Sequence, residues 1–299
     1  MPDFIAQHLG ESFALTTAIF WAFAVILFRR SGEVVHPIGL NLFKCVLAGV
    51  LLIPTAWLFG ESVFRAAPLS DHLMLLASGA LGIGVADTLF FHSLNRLGAS
   101  LTAIVVCLYS PSIIAMSMIW LGEKLSVLEL IGAALIVSAV LAITIEKRPN
   151  LEDRKRVYYG VLWGTLGTFA NAIGIVMIKP LLTNSPLFWA TEMRLVGGLL
   201  VLLVVLVFLP NRGQIVASIK SRQRWGYTLS GAIVGTYFAM VLWLGGMKYT
   251  QASIAAALNQ TSNIFVFILA ALILKEKITP VRLGAIAVGV GGAMLVTFG

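Results

Sequence analysis

Apolar runs of roughly twenty residues follow one another along the chain, separated by short polar stretches. At about 1.5 Å per residue, such a run crosses a hydrocarbon core of about 30 Å as a helix. The pattern predicts ten spans, near 12–30, 37–59, 72–96, 99–121, 127–145, 158–180, 186–209, 227–248, 251–273 and 281–298. Barrel strands would read as about ten residues of alternating polarity, which these uniformly apolar runs do not. Backbone amides in lipid must pair internally, so the expected fold class is an all-α membrane protein.

The runs form a pattern written twice. Leu121-Gly122-Glu123-Lys124-Leu125 returns as Leu274-Lys275-Glu276-Lys277-Ile278, and Gly79-Ala80 as Gly231-Ala232. Ala99-Ser100 matches Ala252-Ser253, and Gly132-Ala133 matches Gly284-Ala285. The expected organisation is a first five-helix repeat over 1–146, a basic connecting loop over 147–156 and a second repeat over 157–299. Five crossings is an odd number, so the second repeat enters from the opposite face. Inverted repeats favour a binding site between the halves and alternating access around it. Each Glu-Lys copy falls at a short turn and reads as a helix-end marker with its charges in water.

Composition agrees: 59% of the residues are hydrophobic and 11% charged, against about 25% charged in soluble domains. The net charge of +8 comes from residues between spans and orients a membrane protein; it is not a nucleic-acid signal. The face carrying the loops after odd-numbered spans holds 15 of the 21 Lys and Arg residues, the other face 4, and Lys44 and Arg194 lie inside spans. The positive-inside rule then places both termini outside, with a bacterial cytoplasmic (inner) membrane the expected location. Residues 1–11 lack a basic leader, so no cleavable signal peptide is read there. Cys45 and Cys107 fall inside apolar segments and read as small packing residues.

Polar side chains inside spans are the candidates for chemistry. Lys44, Asp87, Glu192 and Arg194 are intramembrane charges, each costing about 2.5–3.5 kcal/mol on insertion scales unless paired or hydrated. Lys44 and Asp87 lie at similar depth, which makes a contact feasible; it would be a cavity pair meeting substrate or a coupling proton, or a structural ion pair. Arg194 takes the repeat position of Lys44, and either could hold a carboxylate. Glu192, two residues earlier, points elsewhere and could bind an ammonium or exchange a proton; anchoring near the headgroups is the plain alternative. Asn259, Gln260, Thr261, Ser262 and Asn263 form a mid-span polar cluster, facing Tyr109, Ser110 and Pro111 of span four, with Asn171 at a similar depth in span six. Pro111 leaves a carbonyl unpaired and predicts a bend in span four only, because Ile264 stands at its repeat position. Trp21, Trp163, Tyr237 and Trp243 could wall a pocket, or pack. His92 reads as interfacial. Gly160 with Gly164, and Gly231 with Gly235, suit close helix contact, and Gly289, Gly291 and Gly292 suit either bundle packing or a homodimer.

Leu94-Asn95-Arg96-Leu97-Gly98-Ala99-Ser100-Leu101-Thr102-Ala103, Ser110-Pro111, Leu121 to Leu125 and Ile131-Gly132-Ala133-Ala134 carry a resemblance. With the second copy, Met247 to Ala256, Lys275-Glu276-Lys277 and Gly284-Ala285, the chain resembles the drug/metabolite transporter superfamily in its EamA-type ten-helix branch, over essentially its whole length. The resemblance implies a basket-shaped bundle with a central cavity, and transport, often export, of small metabolites such as amino acids, with no cofactor. Family members are often drawn with cytoplasmic termini, the reverse of the charge tally. Cationic or quaternary ammonium compounds and drugs remain alternative substrates, and a non-transporting scaffold or channel the alternative class. An enzyme is not expected, because no His-Glu-x-x-His or Gly-x-Ser-x-Gly signature is present.

Overall fold

The computed structural model describes residues 8–62, 65–121, 126–146, 151–250 and 252–298. Among them every regular element is helical. Among the described residues nine helices are long and apolar enough to cross a membrane. The first three are α1 (Leu9–Ser31), α2 (Pro37–Leu58) and α3 (Leu69–Leu97). Next come α4 (Ala99–Val106, resumed as Tyr109–Leu121), α5 (Val127–Ile145) and α6 (Leu151–Val176). Then follow α7 (Leu187–Phe208), α8 (Trp225–Tyr249) and α9 (Ala252–Gln260, resumed as Ser262–Ile273). A tenth, α10 (Pro280–Phe298), has a shorter apolar stretch, Pro280–Leu295. Ten full-length spans are thereby corrected to nine and one shorter helix.

Two other expectations shift. Helix α6 starts at Leu151, with Glu152 and Asp153 in its first turn, where negative charge suits the positive end of the helix dipole. Residues 151–156 are therefore helix and not loop; Lys147 and Arg148 lie outside the described residues. The connection between α7 and α8 contains a polar helix, Arg212–Lys220, which buries Ile215 against α2.

The packing is reciprocal between the halves. Helix α3 lies along α6 as α8 lies along α1, α4 meets α6 as α9 meets α1, and α3 meets α7 as α8 meets α2. The pairs α2–α7 and α5–α10 join equivalent helices. Small residues permit these approaches: a Cβ at Gly160 would stand 2.6 Å from the Leu97 side chain, and one at Gly235 2.7 Å from Ala24 Cβ. Gly289 and Gly292 likewise pack inside the bundle, against Cys107 and Gly132, whereas nothing lies within 4 Å of a Cβ at Gly291.

Gly79-Ala80 and Gly231-Ala232 mark more than register. At each, the helix widens into a π-helical stretch, Ala80–Val85 in α3 and Ala232–Ala239 in α8. Such turns leave carbonyls without their usual partners, and they recur at functional sites. In α3 the buried amide of Asn41 donates to Ile83 O at 2.8 Å, to Gly84 O at 3.3 Å and to Thr88 Oγ1 at 2.9 Å. Gly79 also lies against α7 so closely that a Cβ there would fall 1.8 Å from the Arg194 carbonyl oxygen. Gly79→Ala is expected to push α3 from α7 and cost about 1–3 kcal/mol or more. A lowered unfolding midpoint in detergent checks this.

Candidate functional site

Eight helices, all but α5 and α10, contribute to a cavity of about 130 Å³. An engineered cavity of about 150 Å³ accepts benzene, so the space suits a small molecule. The two π-helical stretches flank it: Gly82 and Ile83 line it from α3, Gly235, Thr236 and Ala239 from α8.

Lys44 and Asp87 both line the cavity and meet, with Lys44 Nζ 2.6 Å from Asp87 Oδ2. Their side chains are 3% and 13% exposed. The contact that their depths make feasible is present, and Lys44 Nζ also lies 5.9 Å from the centre of the Phe91 ring. Arg194 differs from its repeat mate. It is buried, lines the cavity and forms no ion pair among the described residues. Its Nη2 reaches to 3.1 Å from where a Cβ would stand on Gly82. Three unsatisfied polar atoms belong to cavity-lining residues: Arg194 Nε, Tyr109 Oη and Asn259 Oδ1 lack hydrogen-bond partners among the described residues. Buried polar groups are nearly always paired, so three on the residues of one cavity single it out as the candidate site.

The polar clusters of spans four and nine split into two roles. Tyr109, Asn259 and Gln260 line the cavity, as do Ser262, Asn171, Trp21 and Trp243. Asn263 and Ser110 do not; they sit behind Gln260. Gln260 Nε2 donates to Cys107 O at 3.2 Å and to Ser110 Oγ at 3.1 Å, while Asn263 Nδ2 donates to Gln260 Oε1 at 2.7 Å. The Cys107 carbonyl is the one a residue at 111 would normally bond, and Pro111 has no N–H. Gln260 thus satisfies the break in α4. Helix α9 is also interrupted, at Thr261, without a proline. Thr261 N and Oγ1 both turn back to Leu258 O. Thr261 keeps a helical backbone (φ −59°, ψ −22°), so this interruption is a local switch of bonding and not a proline-based bend of the kind expected in span four only.

Other candidates lie elsewhere. Tyr237 is not a wall residue; it shares a 2.6 Å hydrogen bond with Thr55 between α8 and α2. Glu192 does not line the cavity. Trp163 packs on His92, whose ring also meets His36. His36 caps α2, its Nδ1 accepting from Ile38 N at 3.3 Å, and partial burial holds its pKa below the ordinary value, which keeps that acceptor free. Cys45 and Cys107 are buried free thiols. Phe90, Thr168 and Thr236 line the cavity without having been singled out; isolated residues of these types in apolar runs carry no periodic signal.

Glu276 overturns a reading. Its carboxylate accepts from Ala99 N at 2.8 Å and from Ser100 N at 3.0 Å, and also from Ser100 Oγ. It caps α4 from the other half, near Gly98 with φ +83°, and its charge is not simply in water. Glu123 and Lys124 lie outside the described residues. Glu61 does similar work on α7, accepting from Leu187 N, Phe188 N and Trp189 N at 2.8–3.3 Å.

Comparison with known proteins agrees with this architecture. The chain is 25% identical over 266 residues to an uncharacterized transporter of Archaeoglobus fulgidus, covering 89% of this chain and 90% of that one. It is 24% identical over 250 residues to the uncharacterized transporter YetK of Bacillus subtilis, covering 83% and 74%. A solved crystal structure shares the fold with a TM-score of 0.71 at 17% identity, covering 97% of this chain and 96% of that chain. The model of the EamA-like transporter family matches residues 8–145 and again 158–298. The chain is a multi-pass integral membrane protein built of two EamA halves, a transporter and not an enzyme, and it belongs to the EamA-like transporter family.

Proposed function

We propose that the chain is a secondary transporter, working as an exporter, of small zwitterionic metabolites of the amino-acid class. The observation that carries this reading is the set of unpartnered polar atoms on cavity-lining residues. Arg194 offers a guanidinium suited to a carboxylate, and it forms no ion pair among the described residues. Asn171 and Asn259 put amide groups on the cavity wall, and an amide oxygen is an acceptor suited to an ammonium. Trp21, Phe90 and Trp243 give apolar walls for a side chain. The reading of cationic or quaternary ammonium substrates is disfavoured, because Asp87 is already neutralised by Lys44 and the uncompensated charge is positive.

In this mechanism two inverted five-helix repeats, over 1–146 and 157–299 and joined through 147–156, rock about the cavity and open it to each side in turn. The reciprocal packing of the halves supports a shared axis through the site. The Lys/Arg tally supports a bacterial inner membrane with both termini outside. Liposomes holding the purified protein and loaded with an unlabelled amino-acid mixture test the reading. Labelled amino acids are expected to enter by counterflow. No counterflow, or ionic currents in its place, sinks the proposal in favour of a scaffold or a channel.

A further inference from the structure

The cavity accounts for Arg194 but not for Glu192, two positions earlier on α7 and on another side of the helix. Glu192 is 8% exposed, and Oε2 has no hydrogen-bond partner among the described residues. Burial inside the bundle is not the place of a headgroup anchor. The carboxyl points at α2, where a Cβ on Gly49 would stand 3.2 Å from Oε1. A glycine at that point makes room for the carboxyl group.

Charged and titratable groups on the elements around α7 are engaged with others. Lys44 of α2 holds Asp87 of α3. His72 of α3 meets Trp189, and Asp71 accepts from Ser70. Glu61, beyond α2, caps α7, and Arg65 lies over the Trp189 ring. Tyr237 of α8 shares its hydroxyl with Thr55, and Lys248 donates to Ser185 O. Arg212 and Lys220 lie past the opposite end of α7. Among the described residues, none forms an ion pair with Glu192. A charged carboxylate buried without a partner is costly, whereas the neutral acid fits such a contact.

We propose that Glu192 is a proton-binding site on the reverse of the substrate helix. The α2–α7 contact holds it as the acid; when the helices part, water enters and the carboxyl releases its proton. One proton moves between water and one carboxylate oxygen, and no other bond changes. Substrate at Arg194 and proton at Glu192 then ride on one rigid helix, which couples them. This rests on the transport reading above.

Two measurements decide it. Infrared spectra of the purified protein in lipid, compared between neutral and alkaline pH, are expected to show a protonated-carboxyl band lost at alkaline pH. The band should be absent from Glu192→Gln and retained in Glu61→Gln. In liposomes with an imposed pH gradient, the wild type should accumulate a labelled amino-acid mixture. Glu192→Gln should lose that accumulation at least about tenfold while keeping exchange at equal pH, and Glu192→Asp should recover part of it. Persistence of the band or of gradient-driven accumulation in Glu192→Gln overturns the proposal. So does wild-type exchange without such accumulation. If the wild type exchanges none of the mixture, the transport reading fails, and the infrared comparison still decides whether Glu192 binds the proton.

Discussion

Lys44→Met is expected to destabilise the protein by about 3–5 kcal/mol, because it strands Asp87 as a buried carboxylate without its partner. The pair is nearly dry: Lys44 is 3% exposed, and its ammonium is 2.6 Å from Asp87 and 5.9 Å from the centre of the Phe91 ring. Methionine retains most of the packing, so the loss reports on charge. Lys44→Met with Asp87→Leu should recover most of the stability, since replacing a buried pair by apolar residues of similar volume is often neutral or better. Unfolding midpoints in one detergent, measured for both single variants and the double variant, give the coupling energy directly. Counterflow in the double variant then separates two roles. A stable but inactive protein assigns the pair to the substrate path, whereas a stable and active one assigns it to the scaffold. Equal stability of wild type and Lys44→Met would show that the pair contributes nothing to the fold.

The large-scale plan was legible because lipid leaves the chain few options. Apolar length and internal repetition sufficed to place nine spans, and depth counting sufficed to bring Lys44 to Asp87. The Gly-Ala pairs were visible as repeats, but not as the start of π-helical turns, since an extra residue per turn leaves no trace in an apolar sequence. Asn41 was the missed clue there: an amide deep in an apolar run has to satisfy something, and it satisfies the carbonyls freed at Ile83 and Gly84. The Arg212–Lys220 helix escaped because its polar composition reads as loop. Glu276 was misread for a different reason. Its partners, Ala99 N and Ser100 N, are 177 and 176 residues away, and only the folded chain puts the start of α4 beside the end of α9. The polar cluster of span nine named the right region but not the division of labour. Gln260 and Asn263 are three apart on one helix, yet one lines the cavity and the other braces it, a distinction set by which neighbour each meets.

Arg194→Gln is expected to weaken substrate binding by roughly 10- to 100-fold, the equivalent of losing a charge-assisted hydrogen bond of about 1.5–3 kcal/mol. The side chain is buried, lines the cavity and has no ion-pair partner among the described residues, so its removal strands no protein carboxylate. That sets it apart from Lys44. Stability should be unchanged or slightly higher, because an unpaired buried cation no longer has to be accommodated. Arg194→Lys should keep the charge but lose the two-pronged geometry, placing it between the wild type and Arg194→Gln. Concentration dependence of amino-acid counterflow checks the series, with unfolding midpoints recorded on the same preparations. Amino-acid amides, which lack the carboxylate, supply the complementary control. They should compete poorly against the wild type, and their handicap relative to the parent amino acids should shrink in Arg194→Gln. If amides and acids compete equally in the wild type, the cavity does not recognise a carboxylate, and Arg194 serves another purpose.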